Sequence, residues 1–183
     1  MFFLPLTFAF FLHFTHTARG LDTIYDYTAK NAAGNSISLE KYRGNVVILA
    51  NVASYCGYTQ SNYEDFKYLE EKYYERGLRI ALFPCNQFGQ QEPDTLPQIS
   101  TFISQTFAYE PEFFDKIHVS GPKSSDLFDF LQRDAEISWN FWKFLVNRQG
   151  VVVKILDHSK NPRDFEQQII DLLGSEDAAK IEL

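Results

Sequence analysis

The 183-residue chain holds two cysteines, Cys56 and Cys85. Its sulfur chemistry is therefore one structural disulfide or a reactive thiol, and the count alone does not choose between them. Histidine is as scarce: His13, His16, His118 and His158 are scattered, two of them in the first twenty residues, and offer no ligand set for a metal. Basic residues are outnumbered, 17 Lys and Arg against 24 Asp and Glu, and the net charge of -7 argues against a surface built for nucleic-acid phosphates. No Asn-x-Ser/Thr sequon occurs, so glycosylation gives no sign of the chain's compartment. No internal period or second composition regime divides the sequence, and a chain of this length forms one domain with a full core.

The apolar stretch Met1 to Leu12 is shorter than the roughly 20 residues of a membrane span. Small and polar residues follow it, as in a secretory signal. Ala18-Arg19-Gly20 offers a cut after Gly20, although no basic residue precedes the run. A retained signal anchor is the other reading. Residues 1–20 are thus expected to be a signal peptide, 21–174 the folded domain and 175–183 a polar tail. That tail closes on Lys180, Ile181, Glu182 and Leu183, similar to the Lys-Asp-Glu-Leu address with Ile181 in place of the aspartate. The expected location is the lumen of the endoplasmic reticulum, with a retrieval receptor as partner; secretion is the alternative.

Within the domain, Val46-Val-Ile-Leu-Ala50 is apolar without alternation, the pattern of a strand covered on both faces. After Thr59, apolar residues recur at Tyr63, Phe66, Leu69 and Tyr73 as on one face of a helix, closed by Gly77. Cys56 falls in the turn between the two. There the unpaired N–H groups and the positive end of the helix dipole favour a thiolate, which predicts a lowered thiol pKa. Leu78 to Phe83 reads as a second buried strand, parallel to the first. It runs into the amide-rich loop Pro84-Cys85-Asn86-Gln87-Phe88-Gly89-Gln90-Gln91-Glu92-Pro93 at the sheet edge where α/β proteins build sites.

Ile24 to Tyr27 and Ser36 to Ser38 flank a turn as a small N-terminal hairpin. Leu96, Ile99, Phe102, Ile103 and Phe107 form one helical stripe, and Leu127, Phe128 and Leu131 a shorter one. Trp139 to Val146, the turn Asn147-Arg-Gln-Gly150 and Val151 to Leu156 form an antiparallel hairpin. Asn161-Pro162 opens a last helix bearing Phe165, Ile169, Leu172 and Leu173. The expected architecture is α/β and thioredoxin-like: a central mixed β-sheet flanked by helices, with an N-terminal β-hairpin. Its usual Cys-x-x-Cys is here Cys56-Gly-Tyr-Thr59, which rules out dithiol exchange at this turn.

Asn51-Val-Ala-Ser-Tyr-Cys56-Gly-Tyr-Thr59, Phe83 to Pro93 and Trp139-Asn-Phe-Trp-Lys-Phe-Leu-Val146 resemble the three signature segments of glutathione peroxidases, in the right order, within a resemblance spanning residues 22 to 173. With the tail, they look most like the cysteine-containing branch of the endoplasmic reticulum. The resemblance implies Cys56 as peroxidatic nucleophile, with Gln87, Trp139 and Asn140 completing a tetrad. Without that context, Trp139 and Asn140 read as a core aromatic and a turn amide. Their N–H groups suit the role, because fixed donors hold a sulfur anion and bind peroxide without neutralising the thiolate.

The product on Cys56 is a sulfenic acid, which condenses with a second thiol. The resemblance implies Cys85 as resolving candidate, followed by reduction by a protein disulfide isomerase; glutathione is the other reductant. The helix preceding Glu112, where thioredoxin-dependent relatives carry their resolving cysteine, has none. Only Gly121 to Ser138 precedes the Trp-Asn pair, where tetrameric relatives insert a loop, which implies a monomer with an open site. The expected substrate is hydrogen peroxide, with organic hydroperoxides as further candidates, and no cofactor or metal is implied. Two other readings stand: a secreted glutathione-dependent peroxidase of lipid hydroperoxides, and a non-catalytic redox-responsive binding module.

Overall fold

The computed structural model describes residues 22–174; the expected signal peptide and the retrieval-like tail lie outside them. The described residues open on a 3-10 turn at Ile24–Asp26. Strands β1 (Thr28–Lys30) and β2 (Ser36–Ser38) then pair antiparallel. The expected hairpin is present, but its first strand begins later than the sequence pattern indicated. The Thr23 side chain caps Ile24–Asp26 and winds the alternating Ile24 to Tyr27 segment into that turn.

The main sheet has the order β5-β4-β3-β6-β7. Its strands are β3 (Val46–Val52), β4 (Leu78–Pro84), β5 (Glu112–Phe113), β6 (Lys143–Val146) and β7 (Val152–Leu156). β3 runs parallel to β4 and antiparallel to β6, and β5 adds a short parallel edge. Every residue of β3 is buried. The pleat divides them between two cores: Val46, Ile48, Ala50 and Val52 face one, Val47 and Leu49 the other. Burying each such large aliphatic side chain stabilises the fold by about 1.5–3 kcal/mol.

The first core is covered by α1 (Thr59–Tyr73), α2 (Leu96–Phe107) and α4 (Glu166–Gly174), through Tyr63, Phe66, Leu69, Ile99, Ile103, Ile169 and Leu173. The second is covered by the N-terminal hairpin and by α3 (Asp126–Leu131), with Phe83, Phe114, Phe128 and Phe144 packed ring against ring. This is the thioredoxin-like arrangement that the element order predicted. Gly77, at a φ of 99°, occupies the left-handed position after α1 and its 3-10 extension. The chain thereby turns back into β4, so that β3 and β4 end at the same sheet edge.

Candidate active site

Cys56 lies in the turn between β3 and α1, unpaired and 8% exposed. Thr59, which stands where a second cysteine would, ties that turn together. Its hydroxyl donates to the Ala53 carbonyl at 2.7 Å and accepts the Cys56 N–H at 3.1 Å, while its own N–H donates to the Cys56 carbonyl at 3.0 Å. The threonine thus fixes the thiol's backbone from both sides. A second brace comes from within the first core. The buried Lys143 ammonium donates to Asn62 Oδ1 at 3.1 Å and to the Lys160 carbonyl at 2.5 Å, and Asn62 Nδ2 donates to the Tyr58 carbonyl at 2.8 Å. Burial lowers Lys143 to about pKa 7 against the opposing pull of Asp157, Asp164 and Asp65.

Asn51, in β3, holds the segment that carries the tryptophan and the asparagine. Its Nδ2 donates to the Trp139 carbonyl at 3.0 Å, its Oδ1 accepts the Trp142 N–H at 2.9 Å, and its carbonyl accepts the Phe141 N–H at 2.7 Å. Phe141 adopts a φ of 65°, an uncommon conformation for a bulky residue, and these bonds on either side hold it there. Trp139 is half-buried against the core that contains Cys56, its ring 6.1 Å from that of Phe88. Asn140 is fully buried, and its Nδ2 donates to Gln91 Oε1 at 3.0 Å.

Gln91, not Gln87, is the loop glutamine brought to Asn140. Gln87 is exposed, and its Oε1 accepts the Val119 and Ser120 N–H groups at 2.6 and 3.2 Å while its Nε2 donates to the Ser120 carbonyl at 2.8 Å. Both ends of its amide bond to the neighbouring loop and organise it. Gly89 and Gln90, at φ 63° and 51°, reverse the chain so that the Gln91 carbonyl accepts the Tyr55 N–H at 3.0 Å, beside Cys56. The sequence offered three glutamines in one loop; the signal that separates them is the left-handed pair at 89 and 90.

Cys85 follows β4 at the same edge as Cys56, but the pleat sends it into the second core beside Phe83, fully buried, while Cys56 belongs to the first. Its thiol donates to Gln87 Oε1 at 3.6 Å. Burial raises its pKa, against hydrogen bonds from the Gln87 and Val119 backbone. The two thiols thus belong to different cores, and both are free.

A cleft of about 430 Å³ opens beside Cys56, lined by Ser54, Gly57, Thr59, Gln60, Glu64, Phe102, Thr106 and Phe107. Its lining has one charged side chain, Glu64, and no cation. Among the described residues no group of three or more His, Cys, Asp or Glu could hold a metal ion. A braced thiol beside an open cleft can attack an electrophile that enters it.

Comparison with known proteins points the same way. The glutathione peroxidase family model matches residues 24–132. Glutathione peroxidase 1 of Caenorhabditis elegans is 42% identical over 160 residues, covering 84% of this chain and 98% of the relative. A probable phospholipid hydroperoxide glutathione peroxidase of Nicotiana sylvestris is 42% identical, covering 83% of this chain and 94% of the relative. Among solved structures, T. cruzi GPX1 superposes with a TM-score of 0.69 at 31% identity, over 84% of this chain and 97% of that one.

Proposed function

The chain belongs to the glutathione peroxidase family of thiol-dependent peroxidases, and from that premise we propose that it reduces hydrogen peroxide through a Cys56 sulfenic acid resolved by a dithiol from outside the chain. The Cys56 thiolate attacks one peroxide oxygen, the O–O bond breaks, and the sulfur is left as sulfenic acid. Trp139, Asn140 and an amide of the Gln87–Gln91 loop serve this step as fixed dipoles, a role that the Asn140–Gln91 hydrogen bond supports.

The observation that supports an external reductant is that Cys85 is fully buried in the second core while Cys56 belongs to the first. The lining of the Cys56 cleft favours a protein dithiol over glutathione, because Glu64 offers the tripeptide's carboxylates repulsion and no cation answers them. A protein disulfide isomerase in the endoplasmic reticulum is the partner that fits the signal-like start and the retrieval-like tail. Phospholipid and other organic hydroperoxides, named for a relative, are further candidate substrates.

Steady-state peroxide consumption with a reduced isomerase-type dithiol or with glutathione, in wild type and Cys85→Ser, tests the proposal. The dithiol is expected to give saturable turnover that Cys85→Ser keeps within about threefold, and glutathione to give a slow, unsaturated rate. Saturation by glutathione alone would favour the glutathione-dependent reading, and loss of dithiol turnover in Cys85→Ser would restore the intramolecular relay.

A further inference from the structure

Attack on peroxide by a thiolate expels hydroxide, and the groups described so far include no acid to protonate it. The loop that carries Gln91 continues into Glu92, which is fully buried. Its N–H donates to Asn86 Oδ1 at 2.9 Å, and its carbonyl accepts from the Lys116 ammonium at 2.5 Å. Both oxygens of its carboxyl lack a regular hydrogen bond to the protein, and so does the hydroxyl of Ser54, which is 5% exposed. Ser54 lies beside that carboxyl, its hydroxyl and backbone close enough to favour the anion. It also lines the Cys56 cleft two residues before the thiol. A buried carboxyl with neither ion pair nor regular hydrogen bond is costly to keep, and its place behind Ser54, a residue of the cleft wall, needs a reason.

We propose, on the peroxidase reading above, that Glu92 is the proton relay of the peroxide step, taking the proton of the Cys56 thiol and returning it to the departing oxygen by way of the Ser54 hydroxyl. Protons and electrons balance. The thiol proton passes to Ser54 as the serine proton passes to Glu92, leaving a thiolate and a carboxylic acid. The thiolate forms an S–O bond as the O–O bond breaks; sulfur loses two electrons and peroxide gains them. The attacked oxygen keeps its hydrogen as sulfenic acid. The departing hydroxide takes the proton back through Ser54 and leaves as water, restoring the carboxylate.

The surroundings set the relay's range. Burial raises Glu92 to about pKa 7, opposed by the nearby Ser54 and by Lys116 and reinforced by Asp94. From the other elements packed around it, Tyr63 of α1, Tyr55 of the Cys56 turn and Cys85 also feel its charge. A relay with such an affinity gives and takes a proton with little cost near neutral pH.

The test compares two reactions of Cys56 across pH in wild type, Glu92→Gln and Ser54→Ala. Alkylation by iodoacetamide needs the thiolate but no acid, whereas hydrogen peroxide needs both. Wild type is expected to give an alkylation rate that rises to a plateau with pH and a peroxide rate that falls again above about pH 7. Both variants should keep the alkylation plateau within about threefold, lose about 10²-fold in the peroxide rate, and show no falling limb. Parallel pH profiles in wild type, an unchanged peroxide rate in Glu92→Gln, or an equal loss in both reactions would overturn the relay. Alkylation without any peroxide reaction in wild type would instead overturn the peroxidase reading on which the relay rests.

Discussion

Replacing Cys56 with serine is expected to remove peroxide reduction, by at least about 10³-fold, while leaving the fold intact. A serine hydroxyl is not ionised near neutral pH and does not displace one peroxide oxygen from the other. The fold tolerates the change because the turn is held by backbone and by Thr59, not by the sulfur. Peroxide consumption at saturating dithiol, with a thermal melt of the same sample, reads both outcomes. Appreciable turnover in the serine variant would assign the chemistry to another group. The contrast with Cys85→Ser, expected to stay near wild type, makes the result specific to one thiol.

The second large effect is on stability. Glu92 is raised and Lys143 lowered, each to about pKa 7, and both shifts are led by burial. The signs oppose. Between pH 4.5 and 7 the folded chain holds a proton on Glu92 that the unfolded chain has released, so stability falls as pH rises. Between pH 7 and 10.5 the unfolded chain keeps the Lys143 proton that the folded chain gives up, so this group's contribution to stability rises. The unfolding free energy therefore passes through a minimum near pH 7, each limb sloping by up to about 1.4 kcal/mol per pH unit. Denaturant titrations at fixed pH values measure it. Glu92→Gln should flatten the acidic limb, apart from a residue due to Glu70, which burial also raises. Lys143→Met should flatten the alkaline limb. A stability maximum at pH 7, or limbs that survive both substitutions, would contradict the account.

The parts of the fold legible in the sequence were those fixed by local pattern. The unalternated run in β3, the α1 stripe and Gly77 after it led to the Cys56 turn, and Asn147 to Gly150 gave the hairpin of β6 and β7. β5 was not legible: two residues, Glu112 and Phe113, form a strand only because β4 is there to pair with. Trp139 to Trp142 was read as strand but is held off the sheet by Asn51, a tertiary clamp without a local signature. Gln87 and Gln91 have the same chemistry four residues apart, and a reversal of the backbone decides which one meets Asn140. The face taken by Cys85 was within reach, because Phe83 and Cys85 share a side of the pleat opposite to Leu82. Glu92 carries no local signature within its loop, and its burial is what distinguishes it.

The measurement that tests the central claim most directly is the thiol state of the reduced protein before and after one equivalent of hydrogen peroxide, read by intact mass after alkylation and after trapping with a sulfenic-acid reagent. The account predicts that Cys56 gains one oxygen and is trapped, while Cys85 stays free and is alkylated once the protein is unfolded. A product lighter by two hydrogens with both thiols gone would show a Cys56–Cys85 disulfide and contradict the external resolving thiol. Two unreacted thiols would contradict Cys56 as the peroxidatic residue.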